Sequence, residues 1–134
     1  MSENKCNFDI YALQEVYSII DPDIFQLDNY HPIQFKTRTA NKGGGVAFFI
    51  SKSLKFKVID ELSIFQEKMF ESMFIKVSLN DNSNIIIGNI YRSPTQINGI
   101  TPSEQLDGFL VILSNILENL DELNCKVYLL GDFN

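Results

Sequence analysis

Polar groups that could do chemistry stand where three apolar runs end. Gln14 and Glu15 follow "FDIYAL", Tyr91-Arg92-Ser93-Pro94 follows "IIIGNI", and Gly131-Asp132-Phe133-Asn134 follows "VYLL". Carboxylates, a phenol, a guanidinium and an amide make up the set, the raw material of acid–base and metal chemistry. Strand ends are where α/β proteins build sites, because the scaffold sets direction while the loop keeps access to solvent. Taken singly, each member has an ordinary role. A carboxylate after a strand caps or decorates a surface, a tyrosine sits half-buried with a wet hydroxyl, and "GDF" forms a turn. Seventeen acidic residues against eleven basic ones give a formal charge of −6. That balance repels polyanions at long range and disfavours a dedicated binder of nucleic acid or acidic membrane, so phosphate chemistry at these ends would need a metal.

The elements that must position these groups are mostly strands. With 134 residues, 45% hydrophobic and 21% charged, the chain suits one globular domain. The compact apolar stretch 8–16 predicts a strand covered on both faces. Asp21 ahead of Pro22 predicts a short helical turn or loop over 20–30. Gly43, Gly44 and Gly45 read as a turn feeding a hydrophobic strand, since the Lys-Ser/Thr of a phosphate-binding loop is lacking. Lys36, Arg38 and Lys42 just before it read as a solvated basic loop. Alternation over 54–60 predicts a strand with one wet face, and 69–79 and 84–94 flank the polar turn Asn80-Asp81-Asn82-Ser83 as an antiparallel hairpin. Thr101, Pro102 and Glu104 form a capping box that opens a helix over 102–121. Its apolar stripe is Leu106, Phe109, Leu110, Leu113, Ile116, Leu117 and Leu120. A strand at "KVYLLGDF" follows, so the helix is a crossover that lays two strands side by side.

Other features stay structural. Cys6 and Cys125 lie at opposite ends without metal-ligand spacing and read as free thiols of a reducing compartment, with a single disulfide as the alternative. His31, the one histidine, precedes Pro32 in a predicted loop far in sequence from the strand-end groups. The start has no apolar core like that of a signal peptide, and no run approaches the roughly 20 residues of a membrane span. An intracellular protein without membrane contact is expected, in cytoplasm or nucleus alike.

Taken in order, "ALQEV", "GGGVAFFI", "GNIYRSP", a capped helix and "LLGDFN" resemble the endonuclease/exonuclease/phosphatase superfamily with its DNase-I-like fold. Within it the sequence is most similar to the endonuclease domain of LINE-type retrotransposon polyproteins. Inositol-phosphate and sphingomyelin phosphodiesterases are more distant in their motifs. The resemblance implies an α/β (α+β) four-layer α/β/β/α sandwich. It implies a Mg²⁺-dependent phosphodiesterase, with Mn²⁺ as an alternative ion, acting on the DNA backbone. Glu15 would be the metal-ligating carboxylate. Tyr91 would contact the scissile phosphate, Asp132 would orient and deprotonate the attacking water, and Asn134 would hydrogen-bond that nucleophile or a phosphate oxygen. The "YRSP" segment departs from the "Y-x-P-P" of many relatives.

Relatives also begin with a further strand carrying an Asn and continue into a second half with a Ser-Asp-His segment. Residues 1–134 therefore correspond to the N-terminal portion of such a domain: a partial sandwich, one mixed sheet with a long amphipathic helix, the second half missing. Groups that act as one catalytic unit are strongly non-additive, so weak metal binding and little or no turnover are expected of the chain alone. An interaction module derived from a retrotransposon, without catalysis, is the alternative. The sheet's inner face, formed by Phe8, Ile10, Val46, Phe48, Ile86, Tyr128 and Leu130 or their neighbours of opposite parity, should be uncovered and favour self-association or pairing.

Overall fold

The computed structural model describes residues 7–17, 21–39 and 42–134. Its strands are β1 (Ile10–Gln14), β2 (Gln34–Lys36), β3 (Val46–Ile50), β4 (Lys55–Val58), β5 (Phe65–Gln66), β6 (Phe70–Ser78), β7 (Asn84–Tyr91) and β8 (Lys126–Asp132), with helix α1 (Pro102–Asp121) between the last two. No helix among the described residues is long and apolar enough to cross a membrane.

The mixed sheet has the order β4-β6-β7-β8, with β5 also on β6. Its centre is the β6–β7 hairpin, in register from Glu71 opposite Tyr91 to Ser78 opposite Asn84. The polar turn closes as its composition demands: Asp81 Oδ1 accepts from the Ser83 amide at 3.0 Å, and Asn82 takes the left-handed backbone (φ +63°) that asparagine tolerates. The helix starts at its capping box, where the Glu104 amide donates to Thr101 Oγ1 at 3.1 Å and the Thr101 amide to Glu104 Oε2 at 2.7 Å. It then returns the chain to lay β8 parallel to β7.

A second sheet, antiparallel and ordered β1-β3-β2, was not separable from the first by sequence pattern. The chain thus supplies strands to both sheets, where a single mixed sheet was expected. Its central strand "VAFFI" is buried at every position. Val46, Phe48 and Ile50 meet Met73, Ile75, Val77, Ile87 and Tyr91 across the sandwich. Ala47 and Phe49 face the other way and pack with Ile33, Tyr11, Tyr30 and Phe35. β1 is an edge strand with Leu13 37% exposed, rather than a strand covered on both faces.

The two sheets cover each other, which corrects the expectation of a bare inner face. Val46 and Phe48 are wholly buried in the sandwich, and Ile86 points to the opposite side, under α1. What stays open is local: Tyr128 at 52%, Leu130 at 44% and Phe8 at 61% exposure. Tyr128 and Leu130 share the inner face with Ile87 and Asn89, and β1, the edge of the three-stranded sheet, covers β8 only in part. The outer face of the mixed sheet buries Phe70, Phe74, Ile86 and Ile90 against Phe109, Ile116 and Leu120. Each such side chain removed from water contributes roughly 1.5–3 kcal/mol. The helix stripe is narrower than predicted, since Leu106, Leu110 and Leu117 are exposed. Cys125 is a half-buried free thiol, and Cys6 lies outside the described residues.

Candidate active site

Strands β1, β7 and β8 end on the same rim. The Glu15 amide donates to Gly45 O at 3.0 Å, continuing the β1–β3 ladder one residue past β1 with Glu15 in the left-handed region (φ +55°). Its carboxylate is thereby turned toward β7, where the Tyr91 hydroxyl donates to Glu15 Oε1 at 2.6 Å. Asp132 is the register partner of Tyr91 in the parallel pair, and its carbonyl accepts from the Arg92 amide at 2.8 Å. Asp132 Oδ1 accepts from the Asn134 amide at 3.1 Å, while the Asn134 side-chain amide donates to Arg92 O. Glu15, Tyr91, Asp132 and Asn134, spread over the whole sequence, are linked by this unbroken series of neighbours.

The same rim holds Arg92, part of the strand-end set without an assigned role, and Asn89, which sequence reasoning did not single out. Arg92 lies with its guanidinium 5.8 Å from the Phe109 ring centre and donates to the main-chain oxygen of Asn134 at 2.7 Å. Asn89, wholly buried between the sheets, accepts from the Gln14 side chain at 2.6 Å and donates to Leu13 O and Ala47 O at 2.9 and 3.0 Å. It ties β7 to both β1 and β3 below the rim. An amide within the apolar run "IIIGNI" was the available signal. Arg38 overturns the reading of a solvated basic loop: it is buried and forms an ion pair with Glu71 at 2.6 Å. Lys36 is tethered as well, donating to Ser63 O at 2.9 Å, whereas Lys42 is exposed. His31 lies at the opposite end of β3, its amide on Ile50 O and its Nε2 on Leu54 O, away from the rim.

Electrostatics at the rim are dominated by the phenol. Burial pushes the Tyr91 hydroxyl up to about 12, and the neighbouring Glu15 carboxylate, as hydrogen-bond acceptor and as charge, adds to the shift. Tyr91 is therefore a neutral donor at physiological pH. Because its folded pKa exceeds the ordinary value of 10.0, the native state keeps a proton that the unfolded chain releases first. This contribution to stability is complete below about pH 10 and is lost as pH rises through about 12. Glu15→Gln should lower the Tyr91 pKa, read as the phenolate absorbance that disappears in Tyr91→Phe. An unchanged titration would show that the contact does not form in solution.

The described residues of the rim offer no cage for a metal ion. Among the described residues no three His, Cys, Asp or Glu side chains are grouped to share an ion. Glu15 is exposed and meets the hydroxyl of Tyr91 through one oxygen, Oε1.

Two facing sheets, with a helix on the outer face of the mixed one, make this a mixed α+β fold of the DNase-I-like type. A solved structure of that type, the human Nocturnin catalytic domain with bound sulfate anion, matches the chain with a TM-score of 0.57 at 17% identity. The match covers 94% of this chain and 51% of that one, so the chain spans about half the length of that domain. No protein-family model and no curated protein matches the sequence.

Proposed function

We propose that the rim is the site of a Mg²⁺- or Mn²⁺-dependent phosphodiesterase of the endonuclease/exonuclease/phosphatase kind, of LINE-type ancestry, directed at the DNA backbone. The observation that supports this is the unbroken series from Glu15 through Tyr91 and Asp132 to Asn134. In this reading Glu15 holds the cation, which supplies charge relief on the phosphoryl oxygens. Tyr91 donates to a phosphate oxygen, a role that its neutral hydroxyl permits. Asp132 orients water and takes its proton, and Asn134 fixes that water or a second phosphate oxygen.

By itself the chain turns over little or nothing in this proposal. The one histidine of residues 1–134 is at the far end of β3 and does not reach the rim. Removing one general acid/base or charge-stabilising donor from such a unit costs on the order of 10²–10⁴ in rate, and further losses do not simply add. The test pairs hydrolysis with binding. Supercoiled plasmid incubated with the chain and Mg²⁺ should remain unnicked, while Mg²⁺ titration should shift the NMR resonances of Glu15 and Tyr91 in wild type but not in Glu15→Gln. Nicking abolished by both Glu15→Gln and Asp132→Asn would show instead that the chain is a competent nuclease by itself. A flat titration would end the metal-site reading.

The second reading, an interaction module, rests on the open edge of β8. Tyr128 and Leu130 remain about half exposed on β8, which among the described residues is an edge strand of the mixed sheet that β1 only partly covers. Edges of this kind pair with other chains. The wild-type chain should self-associate in sedimentation velocity, and Tyr128→Lys with Leu130→Lys should weaken that association by at least about tenfold, given roughly 1.5–3 kcal/mol per buried side chain. Monomeric behaviour of the wild type at high concentration would remove this reading.

A further inference from the structure

We infer that Glu71, clamped by Arg38, is a positioning residue for Glu15 and acts on it through the main chain of Gly45. Glu71 is wholly buried near the start of β6, and both of its oxygens are occupied. Arg38 Nε lies 3.1 and 3.0 Å from Oε1 and Oε2, and Arg38 Nη2 is 2.6 Å from Oε2. Oε1 also accepts the Gly45 amide at 2.8 Å, and Oε2 the Lys68 amide at 3.0 Å. The Gly44–Gly45 peptide so anchored accepts the Tyr17 amide on Gly44 O at 2.9 Å, and the next peptide, fixed from the other side of the Gly45 Cα, accepts the Glu15 amide on Gly45 O at 3.0 Å.

Glu15 and Tyr17 both have left-handed backbone, φ +55° and +61°, which a side-chain-bearing residue keeps only when its surroundings impose it. The glycine turn is what brings the ion pair close enough to impose it. A Cβ on Gly44 would stand 2.3 Å from Arg38 Nε and 2.4 Å from Glu71 Oε1, so the turn lies directly on the charged groups. Glu71 is also the register partner of Tyr91. One strand pair therefore holds Glu15 twice, through Glu71 and Gly45 at its main chain and through Tyr91 at its carboxylate.

This deepens the reading of Glu15 as a site residue, but its test follows main-chain protection instead of hydrolysis, so either can fail alone. Two double variants lack the buried charges: Arg38→Met with Glu71→Gln leaves an acceptor for the Gly45 amide, and Arg38→Met with Glu71→Leu leaves none. In native-state hydrogen exchange, referenced to core amides of β3 and β6, the Leu variant should lose at least about tenfold more protection at Glu15 and Tyr17 than the Gln variant. Equal losses in the two variants would overturn the inference. Should the Leu variant fail to fold, wild type decides. Its Gly45 and Glu15 amides should open together, and Glu15 exchanging more than about tenfold faster than Gly45 would overturn the inference equally.

Discussion

Glu71→Ala is expected to leave a large fraction of the chain unfolded at room temperature. The substitution strands the Arg38 guanidinium, which is 4% exposed and whose bonds among the described residues, apart from one to Lys42 O, all go to that carboxylate. Removing one partner of a buried ion pair costs about 3–5 kcal/mol, against a total stability of about 5–15 kcal/mol for a domain. The Gly45 and Lys68 amides lose their acceptor at the same time. Neutralising both partners should be much milder, so Arg38→Met with Glu71→Gln should recover most of the loss in urea denaturation. A Glu71→Ala chain within about 1 kcal/mol of wild type would mean that the pair is solvated in solution.

Gly131→Ala should detach the end of β8 from β7 and dismantle the rim. A Cβ at that position would sit 1.8 Å from Ile90 O and 2.8 Å from its carbonyl carbon, both backbone atoms of the strand it pairs with. No side chain can move aside to make room. Gly131 also has φ +154°, a conformation that residues with side chains rarely adopt. Overpacking of ordinary side chains costs about 1–3 kcal/mol, and a clash between main chains should reach at least the top of that range. The Arg92 amide, which donates to Asp132 O at 2.8 Å, should lose its exchange protection as Asp132 leaves its place beside Tyr91. Thermal denaturation together with exchange at Arg92 measures both effects, and an unperturbed Arg92 amide would refute the strand displacement.

Local chemistry made much of this fold legible. Thr101, Pro102 and Glu104 mark the start of α1, and the polar tetrapeptide 80–83 marks the hairpin, because caps and turns are satisfied by residues close in sequence. The short strands β2 and β5, three and two residues long, carried no period to detect. Strand existence was readable where sheet membership was not: "VAFFI" is equally apolar on both faces, and nothing in it says which neighbours it takes. In the same way Arg38 and Glu71, 33 positions apart, each read as an ordinary charged residue until folding buried them together.

The order and type of the strand-end groups belong to the sequence alone: a carboxylate after the first apolar run, a tyrosine at the end of the run before the helix, and an aspartate and an asparagine at the end of the run after it. That Glu15 reaches the Tyr91 hydroxyl, and that a buried ion pair beneath the glycine turn holds it there, was decided by tertiary structure. Short-range hydrogen bonds can be read from neighbours in the chain, whereas pairing between sheets depends on which faces lose water together, and that is settled only when the whole core closes.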